Sequence, residues 1–273
     1  NNPSSRGQVI VLDGDLAGTV DGMSMLAYDG TDLGLNESHV AIAEVTTRDI
    51  DRGEHKHFLA KEIGEAPASF RKTLRGKIGE RDGNLFASLD TSVVPQRVID
   101  ALAAGKIARI RVIGQGTAAI AGRSLVQLLR TLVDHRVQVD ALPATELSGF
   151  QLQLDMSDTL VIAISQSGTT TDTNRTVDLA RSRGASVLAI VNRRGSELAA
   201  KADGVLYTSD GRDVEMSVAS TKAFYSQVSA GALLACALSS ALGSGTDAAR
   251  HQLLTALRTV PDAMNRVLEM RPQ

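Results

Sequence analysis

Apolar positions along the chain change period twice. In the first thirty residues the short runs Val9-Ile10-Val11-Leu12 and Met23-Ser24-Met25-Leu26 are set between three Asp-Gly pairs, Asp13-Gly14, Asp21-Gly22 and Asp29-Gly30. Asp-Gly flanked by apolar runs is a strong hairpin signal, so this stretch predicts a β-meander. From His57 the spacing turns helical: Phe58, Leu59, Ile63, Phe70, Leu74 and Ile78 recur at helical intervals, with Pro67 as a kink or restart and Asp82-Gly83-Asn84 as the end. The polar, unpatterned Arg52-Gly53-Glu54-His55-Lys56 marks a boundary near residues 50–57.

After a helix around Pro95–Ala104, strand and helix alternate in the rhythm of a parallel sheet. Strands are predicted at Ile107–Ile113, Val137–Ala141, Thr159–Ile164, Ser186–Val191 and Gly204–Thr208. Helices are predicted at Thr117–Asp134, Thr170–Arg183, Ser196–Lys201, Val218–Leu242 and Asp247 to about Met270. The run Thr159–Ile164 shows no alternation, as expected of a central strand buried on both faces. The pattern divides the chain into a β-meander over 1–50, a helical linker over 51–90 and a doubly wound five-stranded α/β domain over 91–273. The segment Val218–Leu242 is apolar on most faces, so it requires cover on all of them, from a second copy or from a further domain.

Composition narrows the function classes. With 43% hydrophobic and 22% charged residues in 273, the chain has enough apolar surface for an ordinary globular core. A formal net charge of −2 gives no basic surplus for nucleic acid or an anionic membrane, so a bound anion must be held locally. No stretch reaches the ~20 apolar residues of a membrane span, and Asn1–Arg6 has no apolar core for a signal peptide. The single cysteine, Cys236, lies in an apolar run and reads as a buried small hydrophobe, in keeping with a cytoplasmic protein. His39, His55, His135 and His251 have no partner at ligand spacing, so neither a metal nor another cofactor is expected.

In an open parallel sheet ligands bind beyond the carboxyl ends of the strands. The loop Ser165-Gln166-Ser167-Gly168-Thr169-Thr170 leaves the central strand and opens a helix, offering hydroxyls and an amide where helix N–H groups point outward. Such a nest holds a phosphate without Lys or Arg. The same residues also suit a plain N-cap and tight turn, and spacing does not separate the two. Asp172 weighs against phosphate, because a carboxylate in the first turn competes for the same positive end. The rival loop Gly114-Gln115-Gly116-Thr117-Ala118-Ala119, with Asp140 at the end of the next strand, passes as a dinucleotide fingerprint and keeps an NAD-binding reading open. The third loop, Asp213 to Lys222, leads into the long helix; of the candidate catalytic groups Glu146, Glu215 and Lys222, the last two lie near the crevice and have capping or ion-pair roles as the simpler reading.

Ser165–Thr173, Asn192 with Gly195-Ser196, and Val218-Ala-Ser-Thr-Lys-Ala-Phe224 together resemble the isomerase part of the glutamine-dependent fructose-6-phosphate aminotransferases. His57-Phe58 and Lys61-Glu62-Ile63 with Pro67 resemble that family's entry into its isomerase part, and residues 7–30 the tail of its glutaminase domain. The resemblance implies a flavodoxin-like sugar isomerase (SIS) domain for 91–273. It implies that Ser165, Gln166, Ser167 and Thr170 hold the phosphate of fructose 6-phosphate or a related sugar phosphate, with Gly116 and Thr117 beside them and Val218 and Ser220 along the sugar. The sequence departs from the family at Ala118 and Thr169, which loosens the choice of sugar. It also implies amino-sugar biosynthesis leading to UDP-N-acetylglucosamine, and a homodimer. The alternative is a free-standing SIS module that senses or isomerises a phosphosugar.

The family's N-terminal cysteine nucleophile is matched by Asn1, and its second SIS subdomain, which carries the proton-transferring carboxylate, has no match here. No catalytic residue is therefore assigned, and the chain is expected to be a segment inactive by itself. Incubated with fructose 6-phosphate and either glutamine or ammonia, it should form no glucosamine 6-phosphate; product from the purified chain refutes the segment reading.

Overall fold

The computed structural model describes residues 8–40 and 50–270. Asn1, the Asn1–Arg6 segment, Gly7 at the start of the expected meander, residues 41–49 and Arg271 lie outside them. The chain divides into two compact units, 1–46 and 47–273.

In the first unit β1 (Gln8–Leu12) and β2 (Met23–Ala27) form one antiparallel pair, with Leu12 opposite Met23 and Val9 opposite Leu26. The expected meander reduces to this hairpin plus a single bridge, Leu26 to Asp32. Only Asp29-Gly30 makes a tight turn, with Gly30 at φ +84° and its N–H on Ala27 O at 3.0 Å. Asp13 instead caps a 3-10 turn by accepting from Asp15 N, and Asp21 lies inside a second one, Val20–Gly22. Asp13 suits the capping role because its short carboxylate reaches a backbone N–H two residues on.

The second unit begins with α1 (Phe58–Leu74), which runs through Pro67 without a break. The ring is buried, and tertiary packing along the helix offsets the hydrogen bond that proline cannot make. After it, β3 (Ile78–Arg81) and β4 (Asn84–Ala87) pair across Asp82-Gly83, both at positive φ, 52° and 75°. This is the two-residue hairpin that Asp-Gly favours. Ile78, counted at helical spacing, thus sits in a strand opposite Ala87. The segment expected as a linker is packed into the unit: α1 lies on α7 and α8, defined below, and Leu85 N donates to His251 Nδ1 at 3.1 Å.

From α2 (Gln96–Ala103) onward the order is β5 (Arg109–Gly114), α3 (Thr117–Leu132), β6 (Gln138–Pro143), α4 (Ala144–Glu146), β7 (Thr159–Ser165), α5 (Thr171–Arg181), β8 (Ser186–Val191), α6 (Glu197–Lys201), β9 (Gly204–Tyr207), α7 (Lys222–Ala241) and α8 (Asp247–Glu269). The sheet is parallel throughout, in the order β6-β5-β7-β8-β9, with its topological switch between β5 and β7. Every residue of β7 is buried. Leu160, Ile162 and Ile164 join one core cluster with residues of α3 and α7, while Val161 and Ala163 join another with Val177 and Ala180 of α5. That two-sided burial is why the strand carries no polar alternation. Among the described residues no helix is long and apolar enough to cross a membrane.

α3, α1, α2, α8 and β4 of the same chain all pack on α7, and Leu233, Leu234, Cys236 and Leu238 are fully buried. Val228 is only half-buried and Tyr225 is 44% exposed, so the cover expected from a second copy or a further domain concerns that side of the helix alone. Burial pushes the Cys236 thiol up to about 11, so it stays protonated and unreactive at neutral pH. Leu233→Ala should cost about 2–5 kcal/mol in urea unfolding. Because all its neighbours belong to the same chain, the loss should be unchanged on tenfold dilution; a concentration-dependent loss restores the intermolecular cover.

Candidate functional site

At the carboxyl ends of β5 and β7 a cleft of about 390 Å³ opens, and it gathers all eight residues expected at the site: Gly116, Thr117, Ser165, Gln166, Ser167, Thr170, Val218 and Ser220. Its remaining wall is made by Gln115, Ala118, Ile164, Glu215, Ser217 and Gln227. The lining contains no lysine or arginine.

The Ser165–Thr170 loop is held by its carbonyls. Asn192 N and Arg193 N each donate to Gln166 O at 3.2 Å, Leu198 N donates to Gly168 O at 3.0 Å, and Asn174 Nδ2 donates to Gly168 O at 3.1 Å and Thr170 O at 3.2 Å. Gly168 sits at φ +66°, and a Cβ there would stand 2.2 Å from Ser196 Oγ, so only glycine fits. Ser165 Oγ accepts from Gly168 N at 3.0 Å, and Ser167 Oγ from Thr169 N at 3.2 Å. The first bond inside α5 is Asn174 N to Thr170 O at 3.0 Å. The N–H groups of Thr171, Asp172 and Thr173 precede it and form the electropositive helix end.

Thr170 occupies the N-cap of α5 yet makes no side-chain capping bond; its hydroxyl shares a long hydrogen bond with Ser165 Oγ at 3.4 Å. The plain-cap reading therefore does not account for this hydroxyl, which is engaged only within the loop. On the other side of the switch, Gly116 at φ +55° is the N-cap of α3 and has no side chain to cap with. Asp172, the expected competitor, receives Gln115 Nε2 at 3.3 Å. The dinucleotide reading loses its acid: β6 continues to Pro143, so Asp140 lies inside the strand, where Arg111 and Arg130 both bind its carboxylate.

The third wall, residues 212–221, is pinned by carboxylates. Glu62 of α1, only 1% exposed, accepts from Met216 N at 2.5 Å, from Ser217 N at 3.3 Å and from Ser217 Oγ. Glu215 accepts from Thr221 N at 2.7 Å, Ser220 Oγ at 2.9 Å and Ala223 N at 3.3 Å, which makes it the cap of α7 and the orienter of Ser220. Lys222 is buried against Glu65, 2.6 Å away. Both residues thus play the structural parts that were the simpler expectation. From the sequence Glu62 stands out only as part of Lys61-Glu62-Ile63, with no role attached, and Glu65 and Gln227 carry no expectation. For Glu62 a signal existed: a carboxylate on the same helical stripe as Ala66, Ser69, Phe70 and Thr73 is a charge on a buried face.

Residues 105–237 match the SIS domain family, and the doubly wound sheet with its cleft at the switch point is the architecture of that class: this part of the chain is a SIS domain. The chain as a whole is a relative of the isomerizing glutamine–fructose-6-phosphate aminotransferases. It is 35% identical to that of Corynebacterium diphtheriae over 92% of this chain and 38% of that protein, and 33% identical to that of Symbiobacterium thermophilum over 98% and 42%. It spans about two fifths of the length of these relatives. Among solved structures, the C-terminal domain of glucosamine-fructose-6-phosphate aminotransferase from Francisella tularensis superposes with a TM-score of 0.66 at 26% identity, covering 78% of this chain and 56% of that one. A putative phosphosugar isomerase from Silicibacter pomeroyi DSS-3 shares the fold, with a TM-score of 0.56 at 22% identity over 76% and 55% of the two chains.

Glu62→Gln should lower stability by about 1.5–3 kcal/mol, because the amide keeps one acceptor and turns a second donor toward the N–H groups of residues 216 and 217. Limited proteolysis of the variant should then cut first within 212–221. An unchanged urea midpoint with no new cleavage site contradicts the clamp.

Proposed function

We propose that the cleft binds fructose 6-phosphate or a related sugar phosphate. The phosphate rests on Ser165, Gln166, Ser167 and Thr170 at the start of α5, with Gly116 and Thr117 beside it; Val218, through its backbone, and Ser220 face the sugar. The observation that carries this reading is Thr170, a hydroxyl at a helix N-cap that caps nothing and lines a cleft where two helices begin. A dianion there is met by helix dipoles and neutral donors, which suffices without a cation.

In this reading the chain is the phosphosugar-holding part of an isomerizing glutamine–fructose-6-phosphate aminotransferase that makes glucosamine 6-phosphate for amino-sugar and UDP-N-acetylglucosamine synthesis. Similarity to those enzymes along nearly the whole chain supports it. In such an assembly the domain works beside a second SIS subdomain and a glutaminase domain, in a homodimer. Its place is the cytoplasm, which suits a chain whose one cysteine can form no intrachain disulfide.

Ser167→Ala and Thr170→Ala should each weaken fructose 6-phosphate binding about ten- to a hundredfold, since a hydrogen bond to a charged acceptor contributes roughly 1.5–3 kcal/mol. Calorimetric titration beside urea unfolding decides the matter. Thr170→Ala should leave the ligand-free midpoint almost unchanged, because no cap is lost. Unaltered affinity in both variants removes the phosphate from this loop.

A further inference from the structure

Among the described residues four buried side-chain atoms lack a hydrogen-bond partner: Arg109 Nε, Thr173 Oγ1, Asn174 Oδ1 and Gln227 Oε1. Of the four residues, Gln227 alone lines the cleft, where it shares the wall with the apolar Ala118 and Ile164. It is 3% exposed. The other buried polar side chains of α7 are all engaged within the protein: Lys222 with Glu65, Ser226 with Ser69, Ser229 with Ser226 O, and Ser239 with Cys236 O. One amide oxygen on that helix is thus left over, and it belongs to the residue at the cleft.

Folded proteins keep very few buried polar atoms unsatisfied, so one on a residue that lines a cleft points to a partner that the cleft takes up. The free atom is an acceptor, so its partner must bring a donor. A phosphate dianion brings none, and the donors suited to phosphate lie instead on the Ser165–Thr170 loop. A hydroxyl fits. Turning the amide about its last bond presents Nε2 in place of Oε1, and a vicinal diol, donor and acceptor at once, satisfies either setting.

We infer that Gln227 is a sugar-recognising residue whose buried amide binds a hydroxyl on the carbon chain of the ligand. The inference rests on the reading of the cleft as a sugar-phosphate site. It assigns the two halves of the ligand to different elements: the phosphate to the start of α5, the hydroxylated chain to α7.

The test uses the 273-residue chain with Gln227→Met, Gln227→Leu and Ser167→Ala, titrated with fructose 6-phosphate and with inorganic phosphate, and unfolded in urea without ligand. Replacing an unpartnered buried amide by an apolar side chain of similar length should keep or raise the ligand-free midpoint. Both Gln227 variants should bind fructose 6-phosphate about tenfold more weakly, ~1.4 kcal/mol, and inorganic phosphate within twofold of the parent. Ser167→Ala should weaken both ligands. A lowered ligand-free midpoint in both Gln227 variants, or a failure of both to fold, makes the residue structural and overturns the inference. So does undiminished fructose 6-phosphate affinity beside a weakened Ser167→Ala, which leaves the site itself standing. Absence of fructose 6-phosphate binding by the parent chain brings down the sugar-phosphate reading and this inference with it.

Discussion

The carbonyls of Gln166, Gly168 and Thr170 all find their donors on β8, α6 and α5 or in the turns beside them, and that arrangement determines what the cleft can do. A loop whose acceptors are engaged behind it presents donors in front. Gly168 makes the reversal possible, since its positive φ and the close approach of Ser196 exclude any side chain. In the proposed reading this makes an anion site of neutral groups, fixed before a ligand arrives, so that little conformational entropy would be lost on binding.

The cleft is closed on one side by chain from well before the SIS domain. Glu62 on α1 holds Met216 and Ser217, and Glu65 on the same helix holds Lys222 at the start of α7. Both carboxylates reach across more than 150 residues of sequence. The polar stripe of α1 continues with Ser69, bonded to Ser209 and Ser226 at 2.6 and 2.8 Å, and Thr73, bonded to Ser209 N at 2.9 Å. A helix that contributes no residue to the cleft lining thereby positions the wall carrying Val218 and Ser220. Disturbing α1 is equivalent to disturbing the site at one remove.

Much of this was legible in the residues. The five strands and the six longer helices of the α/β region fall within a few residues of the expected bounds, because short unbroken apolar runs such as Thr159–Ile164 and the helical spacing that follows them are strong signals. The eight expected site residues converge because loops at the ends of parallel strands must face one way. Apart from Ile78, counted at helical spacing but lying in β3, the misreadings concern dipeptides rather than periods. Asp82-Gly83 turns a hairpin where a helix end was expected, while Asp13-Gly14 and Asp21-Gly22, expected to turn hairpins, start or join 3-10 turns. One dipeptide serves both ends, and the choice belongs to whichever flanking strands find partners.

The order of elements, the buried central strand, the hydroxyl-rich loop that opens α5 and the single inert cysteine were thus determined by the sequence itself, since each depends on local period or local composition. Only the tertiary structure decided what covers α7, that Asp140 is spent on two arginines, that Glu62 and Glu65 tie α1 to a loop 150 residues away, and that Gln227 holds an acceptor without a partner. Those facts are pairings between distant groups, and whether a buried polar atom is satisfied depends on what else the fold brings within hydrogen-bond reach.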